Sequence, residues 1–338
     1  MSGRVSSVDV ARRAGVSQSA VSRVFTPGAS VSAGMAGKVR RAAAELGYRP
    51  NVLARSLITG RSRIIGLVVA YLDNYFYPDA LERLSTALQA RGYHVLVFMA
   101  SQTAGNIDAV LDEILDYQVD GIILASVALS SDLAMRCQRA GVPVVLFNRG
   151  QDIPGIAAVT ADNHRGGREI ARFLVAGGHR RIAHVAGWEG ASTQRDREAG
   201  LREGLSQAGQ ALAARAVGDF RLDQAREAAR ALFDRPDPPD AVFVANDHMA
   251  FAVMDVVRFD LGLDVPGDVS VVGFDDVPIA AWPAYDLTTW RQPAARMVAA
   301  TVTALLDQIE AGKSAESAEI AGHLVLRGSA RIPEGWQT

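Results

Sequence analysis

The chain is poor in cysteine and in lysine. Cys137 is the single cysteine among 338 residues, so no intramolecular disulfide and no cysteine-based zinc site can form. It lies in Ala134-Met135-Arg136-Cys137, which reads as helical, where a buried thiol acts as a small hydrophobe. Lysine occurs only as Lys38 and Lys313, so arginine supplies nearly all the positive charge. The longest apolar runs, such as Ile64 to Leu72, fall far short of the ~20 residues that a membrane-spanning helix needs. Met1-Ser2-Gly3-Arg4 leads into polar sequence without the apolar core of a secretory signal, which predicts a cytoplasmic protein with no membrane partner. Catalytic signatures are missing too. There is no H-E-x-x-H, no Walker A loop, no G-x-S-x-G and no G-x-G-x-x-G. The histidines are scattered, and His179 and His184 flank an apparent strand start rather than one ion site. Nothing here calls for a catalytic residue, a metal or a cofactor.

What is present is an ordinary globular composition, 49% hydrophobic and 21% charged. The formal net charge of −2 hides a strong asymmetry. The first 63 residues hold eleven basic side chains and only Asp9 and Glu45 on the acidic side, a balance of +9. The remaining 275 residues carry −11. A basic arm on an acidic body suits a polyanion partner, with a merely solvated basic tail as the plain alternative.

Residues 6–47 read as three short helices. Ser6 caps the first, Ser7 to Ala14, with Asp9 placed to reach back in a capping box. Gly15-Val16 makes a tight break. Ser17 then caps a second helix, from Gln18 to about Phe25, that buries Val21 and Val24. Two helices joined across a glycine turn form the helix-turn-helix pattern. Ser32 caps a third helix, with a predicted core stripe of Met35, Val39, Ala42 or Ala43, and Leu46. The second helix presents Gln18, Ser19, Ser22 and Arg23, and Gln and Arg are residue types that make paired hydrogen bonds to base edges in the major groove. A solvated helix face would look similar in isolation.

The stretch Val8-Asp9-Val10-Ala11-Arg12-Arg13-Ala14-Gly15-Val16-Ser17-Gln18-Ser19-Ala20-Val21-Ser22-Arg23-Val24 resembles the headpiece of the LacI/GalR family of bacterial transcriptional repressors. So does Leu46-Gly47-Tyr48-Arg49-Pro50-Asn51-Val52-Leu53-Ala54-Arg55-Ser56-Leu57. The resemblance implies double-stranded operator DNA as the partner. It puts Gln18, Ser19 and Arg23 at base-reading positions, and Ser6, Ser17, Ser22 and Ser32 at helix caps or phosphate contacts. Ala20 stands where the family has Thr. Gly34 and Gly37 open the third helix where the family commonly has S-x-x-T-R, and each weakens a helix by roughly 1 kcal/mol relative to Ala.

Pro50-Asn51 followed by Val52 to Ile58 reads as a capped helix of two turns, too short to be stable alone in water. Its apolar stripe could simply pack against the body. In the resembled family such a segment folds on DNA, two copies lying in the minor groove. That implies Asn51, Ala54 and Leu57 at the interface, with Leu57 as a wedge between base pairs.

From Ile64 onward apolar strands alternate with amphipathic helices. The expected strands are 64–69, 94–98, 121–125 and 142–147, then 181–186, 213–217, 241–245 and 269–273. Two such series predict two doubly wound parallel-sheet α/β lobes, with ligand bound between them beyond the carboxyl ends of the strands. That rule nominates Asp73, Asn74, Phe76 and Tyr77, then Ser101, Ser126, Asn148 and Arg149 in the first lobe. In the second it nominates Trp188, Arg195, Phe220, Asn246, Asp247, Phe274, Asp275 and Asp276. Carboxylates, amides, guanidinium groups and aromatic faces together suit a sugar or a nucleobase.

The resemblance runs on through the body, in Asp73-Asn74-Tyr75-Phe76-Tyr77, Ala245-Asn246-Asp247-His248-Met249-Ala250 and Val265-Pro266-Gly267-Asp268-Val269-Ser270-Val271-Val272-Gly273-Phe274-Asp275-Asp276. It implies a periplasmic-binding-protein-like domain. Phe76, Arg195, Phe220, Asn246 and Asp275 become effector contacts, with Asp73, Tyr77 and Arg149 beside them, while Trp188, nominated by the strand-end rule, is unusual for the family at its position. The expected organisation is a headpiece over 1–50, a hinge helix and linker over 51–62, and an effector-binding and dimerisation domain over 63–338. No leucine-heptad segment precedes Trp336, so a homodimer reading a palindrome is expected. The expected activity is repression relieved by a sugar-like effector. A corepressor-dependent regulator responding to a purine-like ligand would use the same contacts. A sugar-binding transport receptor would lack a use for the basic arm, and a cytosolic sugar enzyme would need a catalytic acid–base pair, which does not stand out among the loops.

Overall fold

The computed structural model describes residues 5–26, 29–49, 61–70, 72–100, 107–127, 131–151, 153–314 and 316–336. The chain divides into two compact units, Met1–Arg63 and Ile64–Thr338.

The first unit holds helices α1 (Ser7–Ala14), α2 (Gln18–Val24) and α3 (Ala33–Leu46). The capping box is made: the Ser6 amide donates to Asp9 Oδ2 at 3.0 Å, and the Asp9 amide donates back to Ser6 Oγ at 3.4 Å. Gly15 ends α1 at φ 67°, a left-handed conformation open to glycine at no steric cost. Val10, Ala11, Val21, Val39, Ala42 and Ala43 form the core. Met35 is not part of it. At 37% exposure it lies one turn short of where α3 meets its partners, so the buried stripe begins at Val39. Asn51, Ala54 and Leu57 of the expected hinge, and Ser101 of the first lobe, lie outside the described residues.

The second unit contains two six-stranded sheets. The first comprises β1 (Ile64–Val69), β2 (His94–Met99), β3 (Gly121–Ala125), β4 (Val144–Phe147), β5 (Ala157–Ala161) and β11 (Ala318–Ile320), in the order β11-β5-β4-β3-β1-β2. The second comprises β6 (Ile182–Ala186), β7 (Ala214–Val217), β8 (Ala241–Val244), β9 (Ser270–Asp275), β10 (Thr288–Arg291) and β12 (His323–Val325), in the order β12-β10-β9-β8-β6-β7. All strand pairs are parallel except β10 with β12. The side chains of β1 alternate as a period-two strand requires. Ile65, Leu67 and Val69 pack with Leu84 and Leu88 on one face, and Val68 packs with Leu111 and Ile114 on the other.

Sequence patterning missed β5, β10, β11 and β12 and placed several strand starts one or two residues early. Ala157-Ala158-Val159-Thr160-Ala161 is too alanine-rich to read as a strand, and its pairing with β4 makes it one. The strand expected from Val142 starts at Val144, after Pro143. The chain passes between the lobes three times: after β5, after β10, and between β11 and β12. Helix α11 (Ala294–Ala311) accordingly packs on the first lobe although it follows most of the second. A Cβ on Gly121 of β3 would stand 2.9 Å from Leu305 Cδ1 of that helix.

Candidate functional site

In the first unit, α2 is laid down by Ser17, whose Oγ accepts from the Ala20 amide at 3.3 Å. Val21 and Ala20 face inward, and Gln18, Ser19, Ser22 and Arg23 stand on the exposed side. Gln18 Nε2 donates to Ser7 Oγ at 3.0 Å, and Ser17 and Ser19 hydroxyls pair at 3.0 Å. Ser32 Oγ accepts from the Met35 amide at 3.4 Å. Both headpiece carboxylates are neutralised locally, Asp9 by Arg12 at 3.3 Å and Glu45 by Arg13 at 2.6 Å. The polar face of α2 thus stands exposed on a small packed core.

In the second unit, the carboxyl ends of strands from both lobes converge on a narrow cavity. It is lined by Asn74, Phe76, Tyr77, Asn148 and Arg149 from one lobe, and by Thr193, Arg197, Phe220, Asn246 and Asp275 from the other. Backbone strain concentrates here. Ser126 (φ 65°), Asn148 (φ 71°), Phe220 (φ 60°), Asp275 (φ 129°) and Asp276 (φ 59°) all take positive φ without being glycine, which is costly and recurs at ligand sites. Two of the lining residues hold buried polar atoms that lack any hydrogen-bond partner, Asn148 Oδ1 and Asn246 Nδ2. A buried orphan of this kind costs about 1–3 kcal/mol, so the cavity is made to be satisfied by something polar.

Asn246 shows how one side chain serves both structure and site. Its Oδ1 caps helix α10 (Asp247–Asp255) by accepting from the Met249 amide at 3.0 Å, and Nδ2 is left over. Asn148 donates through Nδ2 to Tyr77 Oη at 2.8 Å and keeps Oδ1 open. Phe76 stacks on Phe147, centroids 6.2 Å apart. Arg149 reaches from the first lobe into an aromatic pair of the second. Its guanidinium carbon is 5.5 Å from the Trp188 ring centre and 5.7 Å from that of Phe220, and Nη1 donates to the Ser126 carbonyl at 2.7 Å. Gly187 makes room for this pair, since a Cβ there would meet the Phe220 ring at 2.2 Å.

Arg195 does not reach the cavity. It is exposed, and Nη1 donates to the Gly190 carbonyl at 2.9 Å. Two residues along helix α8 (Ser192–Gln207) is a rotation of about 200°, so it is Arg197 that faces inward. Arg197 is 2% exposed. Its Nε donates to Asn163 Oδ1 at 2.8 Å, Nη1 to the Ala245 carbonyl at 2.5 Å, and Nη2 lies 3.6 Å from Asp275 Oδ1. The guanidinium also sits 3.7 Å over the Phe274 ring. Asp73 stands at the mouth, 73% exposed and 4.0 Å from His248 Nε2. Trp188 is half-buried beside Arg149.

Thr193, Arg197, Gln194 and Gln292 were not legible as site residues, because the polar sequence of α8 does not display which face turns inward. Gln194 secures the turn that carries Trp188. It accepts the Gly187 amide at 2.6 Å and donates to Glu198 at 2.9 Å, against buried His184. His184 Nδ1 pairs with the Phe243 carbonyl at 3.0 Å, and burial lowers its pKa to about 4, keeping it neutral.

Beneath the cavity two carboxyls lie together. Asp247, fully buried, accepts from Thr289 Oγ1 at 2.6 Å and from the Val277 amide at 2.9 Å. Burial and the neighbouring Asp275 push its pKa up to about 7. Burial raises Asp275 to about 6 against the pull of Arg197 and the Gln292 hydrogen bond. Both native values lie above the ordinary 3.8, so the native state holds the extra proton and this contribution to stability is lost as pH rises from about 4 to about 7. Asp247→Asn mimics the protonated acid, its amide donating to Thr289 and its carbonyl accepting from Val277. Thermal unfolding between pH 5 and 8 should show a shallower decline in that variant. An unchanged slope would remove Asp247 as the cause.

Among the described residues no cluster of histidine, cysteine or carboxylate side chains could hold a metal ion, and no helix is long and apolar enough to cross a membrane. A helix-turn-helix headpiece followed by a two-lobed cleft with unsatisfied polar walls defines a DNA-binding regulator that senses a small molecule. Residues 8–51 match the model of bacterial regulatory proteins of the lacI family, and residues 171–330 match the periplasmic binding protein-like domain. The HTH-type transcriptional regulator CelR of Thermobifida fusca is 34% identical over 331 residues, spanning 95% of this chain and 96% of CelR. A solved complex of CelR with cellobiose superposes with a TM-score of 0.73 at 32% identity, covering 97% of this chain and 100% of that one. The lac repressor dimer bound to operator and the anti-inducer ONPF superposes with a TM-score of 0.88 at 28% identity, covering 97% and 99%. The chain belongs to the lacI family of bacterial regulatory proteins. It is a DNA-binding repressor with a small-molecule effector, not an enzyme.

Proposed function

We propose that this protein is a cytoplasmic homodimer that represses transcription from a palindromic operator and is released by a sugar. The observation that carries the sugar reading is the pair of unpartnered buried polar atoms, Asn148 Oδ1 and Asn246 Nδ2, in a cavity that Phe76 and Phe220 also line. Hydroxyls satisfy such donors and acceptors, and the apolar face of a sugar ring fits against an aromatic wall. CelR and its cellobiose complex support the same chemistry. The effector-contacting set is Phe76, Tyr77, Arg149, Arg197, Phe220, Asn246 and Asp275, with Asp73 and Trp188 at the mouth.

Gln18, Ser19 and Arg23 read base edges. Ser6, Ser17, Ser22 and Ser32 hold phosphates or the helix ends that face them. Asn51, Ala54 and Leu57 enter the minor groove. Effector and operator oppose one another, so operator DNA must lower effector affinity by the same factor as effector lowers operator affinity. A mobility-shift titration against a palindrome upstream of the protein's own operon, with and without cellobiose and related sugars, tests the reading. A complex that every sugar leaves intact would overturn it. Leu57→Ala should weaken operator binding by at least tenfold and binding to random DNA far less, because the wedge acts only in a kinked site. Equal losses would refute the wedge. Affinity should also fall with salt at a log–log slope of about −0.9 per phosphate neutralised.

A further inference from the structure

The cleft cavity has a volume of about 10 Å³, room for a single water and no more. The chain itself takes up the space. Arg149 follows β4 of the first lobe and crosses to the second, where its guanidinium carbon lies 5.5 Å from the Trp188 ring centre and 5.7 Å from that of Phe220. The residue is 6% exposed, and the Ser126 carbonyl of its own lobe accepts from Nη1. A guanidinium is planar and weakly hydrated, so it stacks on aromatic faces better than an ammonium does. The attraction grows where water is excluded.

The receiving side is shaped to fit. Gly187 and Gly190 flank the turn that carries Trp188. A Cβ on Gly187 would stand 2.2 Å from the Phe220 ring, and one on Gly190 would stand 2.3 Å from the Trp188 ring. Both rings therefore lie directly against backbone, and Phe220 takes a left-handed φ of 60° to do so. Gln194 pins the turn by accepting the Gly187 amide. Next to Arg149, the Gly150 amide donates across the cleft to Ser192 Oγ at 3.0 Å. Elsewhere between the lobes Tyr75 meets His248 edge-on, ring centres 6.4 Å apart.

The geometry points to Arg149 as an internal ligand, latching the lobes together by occupying the Trp188–Phe220 pair. An effector enters the cleft only by displacing that guanidinium. Its apparent affinity then scales with the fraction of molecules whose latch is open. The latch is made by the chain's own residues and does not depend on the effector being a sugar. Trp188, unusual for the family at its position, supplies half of the receiving pair.

Disulfide trapping in the full-length protein tests it. A Gly150→Cys, Ser192→Cys pair reports closure, because those positions are bonded across the cleft and a Cβ on Gly150 meets only ordinary contacts, Thr160 Cγ2 at 3.6 Å and Ala158 Cβ at 3.9 Å. Cys137 is buried and stays out of the reaction. With oxidised glutathione and no sugar added, the pair should form its disulfide readily. Arg149→Met and Trp188→Leu, one from each lobe, should each slow that by about tenfold, and Arg149→Lys by less, with unfolding temperatures confirming that the variants fold. No disulfide in the parent pair, or the parent rate retained in either Arg149→Met or Trp188→Leu, overturns the latch and leaves the sugar reading standing. The disulfide-closed form should also stay on operator DNA in the presence of any sugar that releases the reduced form. Release of both forms alike overturns the displacement. If no sugar releases even the reduced form, the sugar reading falls and the trapping rates alone decide the latch.

Discussion

Arg197→Ala should cost the sensor about 3–5 kcal/mol and abolish its response to effector, because removing one partner strands a buried charge. Asp275 would lose its only cation within 4 Å among the described residues, beside the already crowded Asp247. The Ala245 carbonyl and Asn163 Oδ1 would lose their donors as well. The headpiece is a separate compact unit, so operator binding should persist without release. Thermal unfolding and an effector-titrated mobility shift measure the two effects together. Arg195→Ala is the internal control. An exposed residue holding one backbone carbonyl should change stability by less than about 0.5 kcal/mol. If the two substitutions behave alike, the assignment of the cleft arginine is wrong.

Gly200→Ala is the second large effect. In a free helix, alanine for glycine stabilises by roughly 0.5–1 kcal/mol. Here the sign should reverse. A Cβ on Gly200 would stand 1.9 Å from the His164 carbonyl oxygen, and one on Gly167 would stand 2.0 Å from that of Arg197. Helices α7 (Asn163–Ala176) and α8 touch backbone to backbone through these two glycines. Pushing them apart should cost about 3 kcal/mol or more, at the upper end of overpacking. It would also displace the helix that presents Thr193 and Arg197. A variant as stable as the parent by thermal unfolding would contradict the close packing.

How much of this could be read from the sequence depends on the physical range of each signal. Helix caps and strand alternation are local, and so Ser6, Ser17, Ser32 and β1 were legible. The rule that ligands gather at the carboxyl ends of parallel strands found Asn148, Phe220, Asn246 and Asp275 without any geometry. Choosing between Arg195 and Arg197 needs the exact phase of α8, which an arginine-rich polar helix does not display. The strand at Ala157–Ala161 exists only through its neighbours. The Asp247–Asp275 pair and the left-handed residues around the cavity are products of tertiary contact, and no local pattern announces them.

The threefold passage between lobes also orders the protein's synthesis. The headpiece helices leave the ribosome first and close their core from residues 5–48 alone. The first lobe begins next but cannot finish. Its helix α11 and its edge strand β11 lie beyond nearly all of the second lobe. At about 5–20 residues per second, the nascent first lobe waits for about 7–30 seconds with the face meant for Leu305 and Ile309 uncovered. A message cut short within the second lobe would therefore yield a folded headpiece tethered to an unfinished, aggregation-prone sensor.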